Sequence, residues 1–279
     1  MRSAVFAALA LLSLTGTARA QESVSFPVAL AGGDTLTLTA KVFRPPGDAP
    51  RPAVVLVHGC SGVGNATRRW PKVLNELGYV AMMIDSFGGR GVKEVCTRGS
   101  RPVEARDRAR DIAGAVDWLK ARPFVRPDRV AVLGQSHGAA ATLFAALRED
   151  GGRPLPAPGF AAAIAFYPDC SLRGRTDKRF EVLRPTLVLI GEKDDWTPAE
   201  RCRDLLPRIG GAPLELRTYP DALHAFDSVG VAPRYRPEVS NRTKPGGCCG
   251  AWIGYHEASY LDARARVAAF LAQHLGGAR

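Results

Sequence analysis

The sequence predicts an α/β fold in which a mostly parallel central sheet carries helices on both faces and follows an N-terminal antiparallel hairpin. Two observations support this. First, short apolar runs without polar alternation recur along the chain, which is typical of strands buried on both faces. These runs are PAVVLVHG, YVAMMID, RVAVLG, FAAAIAFYP, PTLVLIG and LELRTYP. Second, segments of helical length separate them, which indicates crossover connections between parallel strands.

The first twenty residues, MRSAVFAALALLSLTGTARA, have the pattern of a secretory signal peptide. A basic Arg2 precedes an apolar run that ends in small residues, with a cleavage site expected before Gln21. The apolar run is too short to span a bilayer. We therefore expect residues 1–20 to be removed, and residues 21–279 to form one exported domain, most simply in a bacterial periplasm, without stable membrane insertion.

The remaining elements follow from local patterns. SVSFPVAL and TLTLTAKVF, joined by AGGD, alternate polar and apolar residues and predict the hairpin. Apolar residues at helical spacing predict helices in ATRRWPKVLNELG, VEARDRARDIAGAVDWLKARP, HGAAATLFAALRED and LDARARVAAFLAQHL. Residues 228–252 lack either pattern and predict a long surface loop or cap held by cysteines.

The charge balance is basic, with 38 Lys and Arg against 27 Asp and Glu and a formal net charge of +11 at pH 7. A basic surface could attract anionic partners. However, both signs alternate in runs such as EARDRARD, a pattern typical of a solvated helix face. The sequence contains no basic cluster interleaved with aromatic residues, so we do not expect nucleic-acid binding.

The sequence contains six cysteines, an even number that predicts disulfides in an exported protein. They are Cys60, Cys96, Cys170, Cys202, Cys248 and Cys249. Three bridges, or fewer bridges with one or two buried free thiols, are equally compatible with the sequence, and the pairing stays open. Because no Cys/His spacing is that of a zinc site, we expect no metal.

The segment GQSHG, residues 134–138, lies between the predicted strand RVAVLG and an alanine-rich helix. A serine on such a sharp turn projects its hydroxyl above the sheet, and Gly134 and Gly138 allow the strained backbone and close packing. The pentapeptide alone could be an ordinary turn. Its flanking strand and helix favour Ser136 as a nucleophile.

A serine nucleophile needs a general base and a carboxylate that orients the base, here expected in the order serine, acid, histidine. Asp194 follows the strand PTLVLIG in the segment GEKDDWTP, where Asp195 is its competitor. The alternative interpretation of this segment is a turn before a helix, with Thr197 as N-cap and Pro198 at the first helical position. Both interpretations can hold together.

The candidate base is His224, which follows the strand LELRTYP closely in DALHAFD. His256 in GYHEAS is the alternative, although it resembles a helix start. We expect His58, His137 and His274 to be structural or surface residues.

The predicted oxyanion donors are two backbone N–H groups. One belongs to His137, directly after the serine, and the other to Cys60 in HGCSG, after the first central strand. This chemistry requires neither a metal nor an organic cofactor.

Five motifs in order along the chain give the sequence a resemblance to the dienelactone hydrolase family of the α/β-hydrolase superfamily. They are VVLVHGCSG, MMIDSFGGRG, GQSHG, LVLIGEKDDWTP and YPDALHAFD. The resemblance implies Ser136 as nucleophile, Asp194 as acid and His224 as base. It also implies that Arg90 in DSFGGRG lies near the pocket mouth and could bind a substrate carboxylate, with a structural salt bridge as the alternative.

The sequence departs from this family in two respects. The namesake enzyme uses a cysteine nucleophile where this chain has Ser136, so a dienelactone is not the expected substrate. The signal peptide, the six cysteines and the loop at 228–252 favour an exported branch. We also expect two of Cys60, Cys96 and Cys170 to form a bridge that stiffens the oxyanion loop.

The predicted function is hydrolysis of small-molecule carboxylic esters or lactones through an acyl-enzyme. Two alternatives stay open. One is a peptidase resembling the prolyl oligopeptidase group, which shares the triad order, and the other is a binding protein that keeps the fold without catalysis. The sequence leaves the substrate and the oligomeric state undetermined.

Overall fold

The computed structural model describes residues 21–97, 102–150, 159–172 and 177–277. The predicted signal peptide lies outside these residues. The described strands are β1 (Glu22–Ala29), β2 (Thr35–Phe43), β3 (Arg51–Val57), β4 (Val80–Asp85), β5 (Val125–Gln135), β6 (Leu147–Glu149), β7 (Ala162–Phe166), β8 (Phe180–Val182), β9 (Thr186–Gly191), β10 (Ile209–Gly211), β11 (Leu214–Tyr219), β12 (Arg234–Arg236) and β13 (Ala251–Ile253). The described α-helices are α1 (Asn65–Glu76), α2 (Ala105–Lys120), α3 (His137–Ala146), α4 (Ala199–Leu205) and α5 (Glu257–Leu275). Short 3-10 helices lie at Gly88–Arg90, Leu206–Arg208 and Pro245–Gly247.

Eight strands form the central sheet in the order β1-β2-β4-β3-β5-β7-β9-β11. The six apolar runs supply the last six strands of this order, and every neighbouring pair among them is parallel. The hairpin of β1 and β2 adds to this block through an antiparallel pairing of β2 with β4. The predicted fold class is therefore confirmed.

The hairpin and the inner strands of the sheet differ in burial as their sequences predict, but the prediction for LELRTYP is wrong, because β11 is an edge strand in which partly buried and exposed residues alternate. In β1 and β2, buried Phe26, Val28, Leu38 and Ala40 alternate with exposed neighbours, so one face packs on the core. In β9, by contrast, all six residues are buried. Strands covered on both faces need no polar alternation, since neither face meets water.

The helices pack in two groups against this sheet. Helix α2 contacts α3 and β1, whereas α1 packs against β3 and β4 and α5 against β5 and β7. Arg264 of α5 forms an ion pair with Glu76 of α1, which joins that second group. In the described part of the chain, no helix combines the length and apolar character needed to cross a membrane.

The structure differs from the sequence prediction at the end of α3. HGAAATLFAALRED predicts a helix through Asp150, but the helix ends at Ala146 and β6 follows. The N–H of Leu183 donates to the Ala146 carbonyl at 2.8 Å, and Leu147 pairs with Val182 of β8. Tertiary pairing thus replaces the last helical turn with a strand of the small sheet β10-β8-β6.

The six cysteines form three disulfides, Cys60–Cys96, Cys170–Cys202 and Cys248–Cys249. No cysteine is left free in the described residues, which include all six. The alternative with buried free thiols is therefore wrong.

Candidate active site

Ser136 occupies the turn between β5 and α3 in a strained conformation. Its φ is 52° and its ψ is −116°, a combination that non-glycine residues seldom adopt. Its N–H donates to the carbonyl of Phe166 at 2.9 Å and fixes the turn to the neighbouring strand. A side chain at Gly138 would overlap the carbonyl oxygens of Val57 and His58, so only glycine permits this packing.

The structure brings the three predicted catalytic side chains together. His224 Nε2 lies 2.9 Å from Ser136 Oγ, and His224 Nδ1 lies 2.7 Å from Asp194 Oδ2. His224 and Asp194 are each 2% exposed. The acid and the base follow β9 and β11, so parallel strand ends deliver both to one edge of the sheet. Such a chain of contacts can transfer a proton from the serine hydroxyl to the imidazole.

Asp194 is held by the backbone that follows it and by Thr197. Its Oδ1 accepts the N–H groups of Trp196 and Thr197 at 2.9 and 2.8 Å. The Thr197 hydroxyl lies 2.9 Å from Asp194 Oδ2 and 3.1 Å from the Tyr167 carbonyl. The N-cap prediction for Thr197 is wrong, because α4 starts at Ala199 and this hydroxyl serves the carboxylate instead.

The competing aspartate, Asp195, anchors a different segment. Its Oδ1 accepts the N–H of Trp252 at 2.9 Å, and its carbonyl accepts the side chains of Asn241 and Thr243. Asp195 therefore fastens the loop at residues 228–252, while its neighbour Asp194 contacts the histidine.

The competing base, His256, is the N-cap residue of α5, as its sequence context indicates. Its Nδ1 contacts Ser259 Oγ at 2.7 Å, whereas the ring that contacts Ser136 is that of His224. The geometry therefore favours His224 over His256.

Cys60 and His137, the residues with the predicted oxyanion N–H groups, both line a cavity at Ser136. Cys60 is bridged to Cys96, and its carbonyl accepts the N–H of Val95 at 2.8 Å. The predicted bridge within this group of cysteines is confirmed, while its stiffening effect stays a prediction.

Arg90 forms the structural salt bridge that the sequence left as its alternative. Its guanidinium binds both carboxylate oxygens of Asp111, at 2.9 and 2.7 Å, and donates to the Ser86 carbonyl at 2.6 Å. Arg90 does not line the described cavities at Ser136. A substrate contact by Arg90 thus has no support in the geometry.

The charged run EARDRARD is only in part the solvated helix face that its alternating signs suggest, with Asp107 exposed and Arg106 and Arg110 partly exposed. Arg108 and Asp111 of α2 have no exposed surface. Burial lowers the pKa of Arg108 to about 10, which leaves it charged at neutral pH, and burial raises the pKa of Asp111. Their spacing of three residues, in line with Ala105 and Ile112 on the apolar face, is the signal that could have identified them.

A second buried charge lies behind the base. Asp227 accepts hydrogen bonds from Trp70 Nε1 at 3.0 Å, Tyr167 Oη at 2.6 Å and the Gln135 amide. Burial raises the pKa of Asp227 above its ordinary value. The Tyr167 ring packs edge-on against His224, with centroids 4.6 Å apart, and so connects this network to the histidine.

Two cavities meet at Ser136. The larger, about 240 Å³, is also lined by His224, Tyr167 and residues of the 228–252 loop. The smaller, about 60 Å³, is lined by apolar side chains such as Phe144 and Leu172 and by polar and charged ones that include Arg201. The loop contributes to the walls of both cavities, and Trp196 donates from Nε1 to its Ser240 carbonyl at 2.9 Å. The predicted surface loop is thus part of the site.

The described residues contain no cluster of three or more His, Cys, Asp or Glu side chains that could hold a metal ion.

Comparisons with known proteins identify the family of this chain. The model of the dienelactone hydrolase family matches residues 38–275. A protein of Azospirillum brasilense named "Putative carboxymethylenebutenolidase" is 26% identical over 262 residues, which cover 89% of this chain and 99% of that protein.

Solved structures share the fold. A structure titled "Putative Dienelactone Hydrolase" from Klebsiella pneumoniae has a TM-score of 0.62 and 21% identity, covering 91% of this chain and 100% of that one. The Pyrococcus furiosus esterase Pf2001 has a TM-score of 0.59 and 16% identity, with coverage of 91% and 94%. At these identities, the likeness establishes the α/β-hydrolase fold alone.

Proposed function

Because this chain belongs to the dienelactone hydrolase family, it is a carboxylic ester or lactone hydrolase, and we propose that it acts through a Ser136–His224–Asp194 triad and an acyl-enzyme. The observation that carries the proposal is the pair of contacts at His224, 2.9 Å to the serine hydroxyl and 2.7 Å to the carboxylate. Family membership does not by itself assign these roles.

In the first half-reaction, His224 Nε2 takes the proton of Ser136 Oγ while this oxygen attacks the substrate carbonyl. Asp194 accepts a hydrogen bond from the Nδ1–H of the ring, which fixes the tautomer and stabilises the imidazolium that forms. The N–H groups of Cys60 and His137 donate to the carbonyl oxygen as it becomes negative. The tetrahedral intermediate then expels the alcohol, which takes its proton from His224.

In the second half-reaction, water replaces the alcohol. His224 deprotonates the water, which attacks the acyl carbon, and the Ser136–acyl bond breaks with return of the proton to Oγ. For a lactone, the released hydroxyl stays attached to the acyl chain until this step. The products are a carboxylic acid and an alcohol, or one hydroxy acid.

The position of His224 indicates which cavity holds the leaving alcohol and which holds the acyl group. The leaving alcohol must reach Nε2, so it occupies the larger cavity, which His224 lines. The acyl group then lies in the smaller cavity beside His137 and Phe144. Since this cavity measures about 60 Å³, we expect short acyl chains to be preferred.

We further propose that the protein is exported to an oxidising compartment, most simply a bacterial periplasm. The signal-peptide pattern of residues 1–20 supports this, and so do the three disulfides, which persist in such compartments. N-terminal sequencing of the protein from periplasmic extracts should start at Gln21. A cytoplasmic protein with an intact N-terminus would contradict it.

Labelling with a fluorophosphonate probe, combined with a substrate panel, tests the mechanism. Wild type should be labelled at Ser136 and should hydrolyse short-chain p-nitrophenyl esters and lactones faster than matched amides. Ser136→Ala should lose the label and nearly all turnover, while His256→Ala should keep both. Full labelling of Ser136→Ala would overturn the assignment, and preferred amide turnover would favour the peptidase alternative.

A further inference from the structure

One buried arginine contacts both walls of the predicted oxyanion hole. Arg108 Nη2 donates to the main-chain carbonyl of His58 at 2.8 Å, and its Nη1 donates to Nδ1 of His137 at 2.9 Å. His58 begins the loop that carries Cys60, while His137 directly follows Ser136. The guanidinium therefore connects two segments that are far apart in sequence and that each supply one oxyanion donor.

We propose that Arg108 is a positioning residue that sets the spacing of the two oxyanion donors, the N–H groups of Cys60 and His137. The inference rests on the proposed function and adds to it a group that does not touch the substrate. Oxyanion donors act only when they match the position that the negative oxygen will occupy. A planar guanidinium holds two acceptors in one fixed arrangement, which a flexible ammonium cannot do.

The His58 ring extends the effect to Cys60. The N–H of Ser86 donates to His58 Nε2 at 3.1 Å, so the proton of the neutral ring is on Nδ1, which donates to the Gly59 carbonyl at 2.7 Å. Burial, together with the charge of Arg108, lowers the pKa of His58 well below its usual range and keeps it neutral. The Gly59 carbonyl shares its peptide group with the Cys60 N–H, and a bond to the carbonyl polarises that N–H.

The charge of Arg108 also acts near the site. The carboxylate of Asp111, three residues later on α2, acts on this charge from a distance, while its hydrogen bonds go to Arg90. Asp85 is the next carboxylate, and its Oδ1 accepts the N–H groups of Phe87 and Gly88. Within the described residues, no carboxylate lies within salt-bridge distance of Arg108. A buried cation on the side where negative charge develops stabilises the transition state more than the ground state.

The test compares Arg108→Met with Arg184→Met. Arg184 is the matched control, because its guanidinium also holds a main-chain carbonyl, that of Phe160 at 2.8 Å, but it lines neither cavity at Ser136. The readouts are kcat and KM for a short-chain ester, and the inhibition constant of a trifluoromethyl ketone that adds to the serine as a transition-state analogue.

For Arg108→Met, we expect kcat to fall about 10- to 100-fold, less than for loss of an oxyanion donor itself, with KM within about threefold of wild type. The affinity for the ketone should fall by the same factor as kcat. Arg184→Met should leave all three constants within about threefold. If Arg108 had a merely structural role, Arg108→Met would lower the melting temperature, as Arg184→Met would, without the selective loss of kcat and ketone affinity.

Wild-type kcat and ketone affinity in folded Arg108→Met would overturn the inference. If Arg108→Met does not fold, Arg108→Lys decides, since an ammonium lacks the rigid fork that holds both acceptors in one arrangement. Its kcat should fall about tenfold at constant KM, and wild-type kcat would again contradict the proposal. A wild-type protein that lacks both labelling and turnover would instead refute the proposed function, so the two failures are distinguishable.

Discussion

The two sides of the Ser136 turn differ in the buried charged groups that lie nearest to the reacting residues. On the oxyanion side, Arg108 lies against His137. On the base side, Asp194 contacts His224, and Asp227 lies behind it through Tyr167. When the serine attacks, the imidazole becomes positive and the carbonyl oxygen becomes negative. In the proposed mechanism, Arg108 thus lies on the side where negative charge develops and Asp194 on the side where positive charge develops.

The two sides are also built differently. The base side comes from segments that directly follow the parallel strands β9 and β11, so sheet geometry positions His224 and Asp194. The oxyanion loop depends on contacts from outside its own strand, the Cys60–Cys96 disulfide and Arg108 of α2. Changes on the base side should therefore abolish proton transfer, whereas changes on the oxyanion side should weaken transition-state stabilisation by degrees.

The largest effect is expected from Asp194→Asn. An amide at this position favours the wrong imidazole tautomer, so kcat/KM should fall by about 10⁴-fold with the fold intact. Asp195→Asn is the matched control, since Asp195 anchors the 228–252 loop and not the ring. Ester kinetics and circular dichroism of both variants check this. Equal losses in the two variants would show that the aspartate pair has been assigned incorrectly.

The two long-range disulfides allow the bridge in the oxyanion loop to be compared with one beside the smaller cavity, where Asp169 and Arg201 precede Cys170 and Cys202. Cys60–Cys96 and Cys170–Cys202 span 36 and 32 residues, so Ala/Ala replacement of either pair should lower the free energy of unfolding by about 3 to 4 kcal/mol. Only loss of Cys60–Cys96 should also reduce kcat several-fold. Urea unfolding and steady-state kinetics measure both quantities. An equal loss of kcat in both double variants would contradict a specific role of Cys60–Cys96 in the oxyanion loop.

On the base side, Asp227→Asn should change how stability depends on pH. Since burial raises the pKa of Asp227, the folded state holds this proton more tightly than the unfolded state. The wild type should therefore lose stability relative to the variant as pH rises through this raised pKa, by at most about 1.4 kcal/mol per pH unit. Urea unfolding from about pH 4 to about pH 7 checks the sign. A stability gap that moves in favour of the wild type with rising pH would contradict this account.

The smallest effect is expected from variants that distinguish the roles of the two cavities in acyl-chain preference. Phe144→Ala enlarges the proposed acyl cavity, and it should shift the preferred acyl chain by one or two carbons, with rate changes of about tenfold or less. Val231→Ala, in the larger cavity, should leave the chain-length profile unchanged. A p-nitrophenyl ester series from acetate to octanoate measures this. A shift caused by Val231→Ala alone would reverse the cavity assignment.

The sequence predicted those parts of the fold and site that local pattern determines. Six apolar runs with helices between them specify the parallel sheet, because a strand covered on both faces has no polar alternation. Ser136, Asp194 and His224 each follow a predicted strand, so the sheet brings them to one edge. In each case a short-range pattern predicts the strand, and the regular geometry of a parallel sheet determines where the residues that follow it lie.

Other features depend on packing between distant segments and could not be predicted in this way. The alternating charges around Arg108 predict a solvated helix face from sequence, but the packing of α2 against α3 and β1 buries Arg108 itself. The Thr197 hydroxyl has several partners within reach, and only the positions of Asp194 and Tyr167 decide between them. Likewise α3 ends at Ala146 because β8 is available for pairing, although the helical pattern of the sequence continues.

The central claim is that Ser136 forms a covalent acyl-enzyme. The most direct measurement is rapid quenching of wild type during turnover of p-nitrophenyl acetate, followed by peptide mass mapping. We expect an acetyl group on Ser136 of the wild type, and none on the corresponding peptide of Ser136→Ala. Acetylation at another residue, or turnover at the wild-type rate in Ser136→Ala, would contradict it.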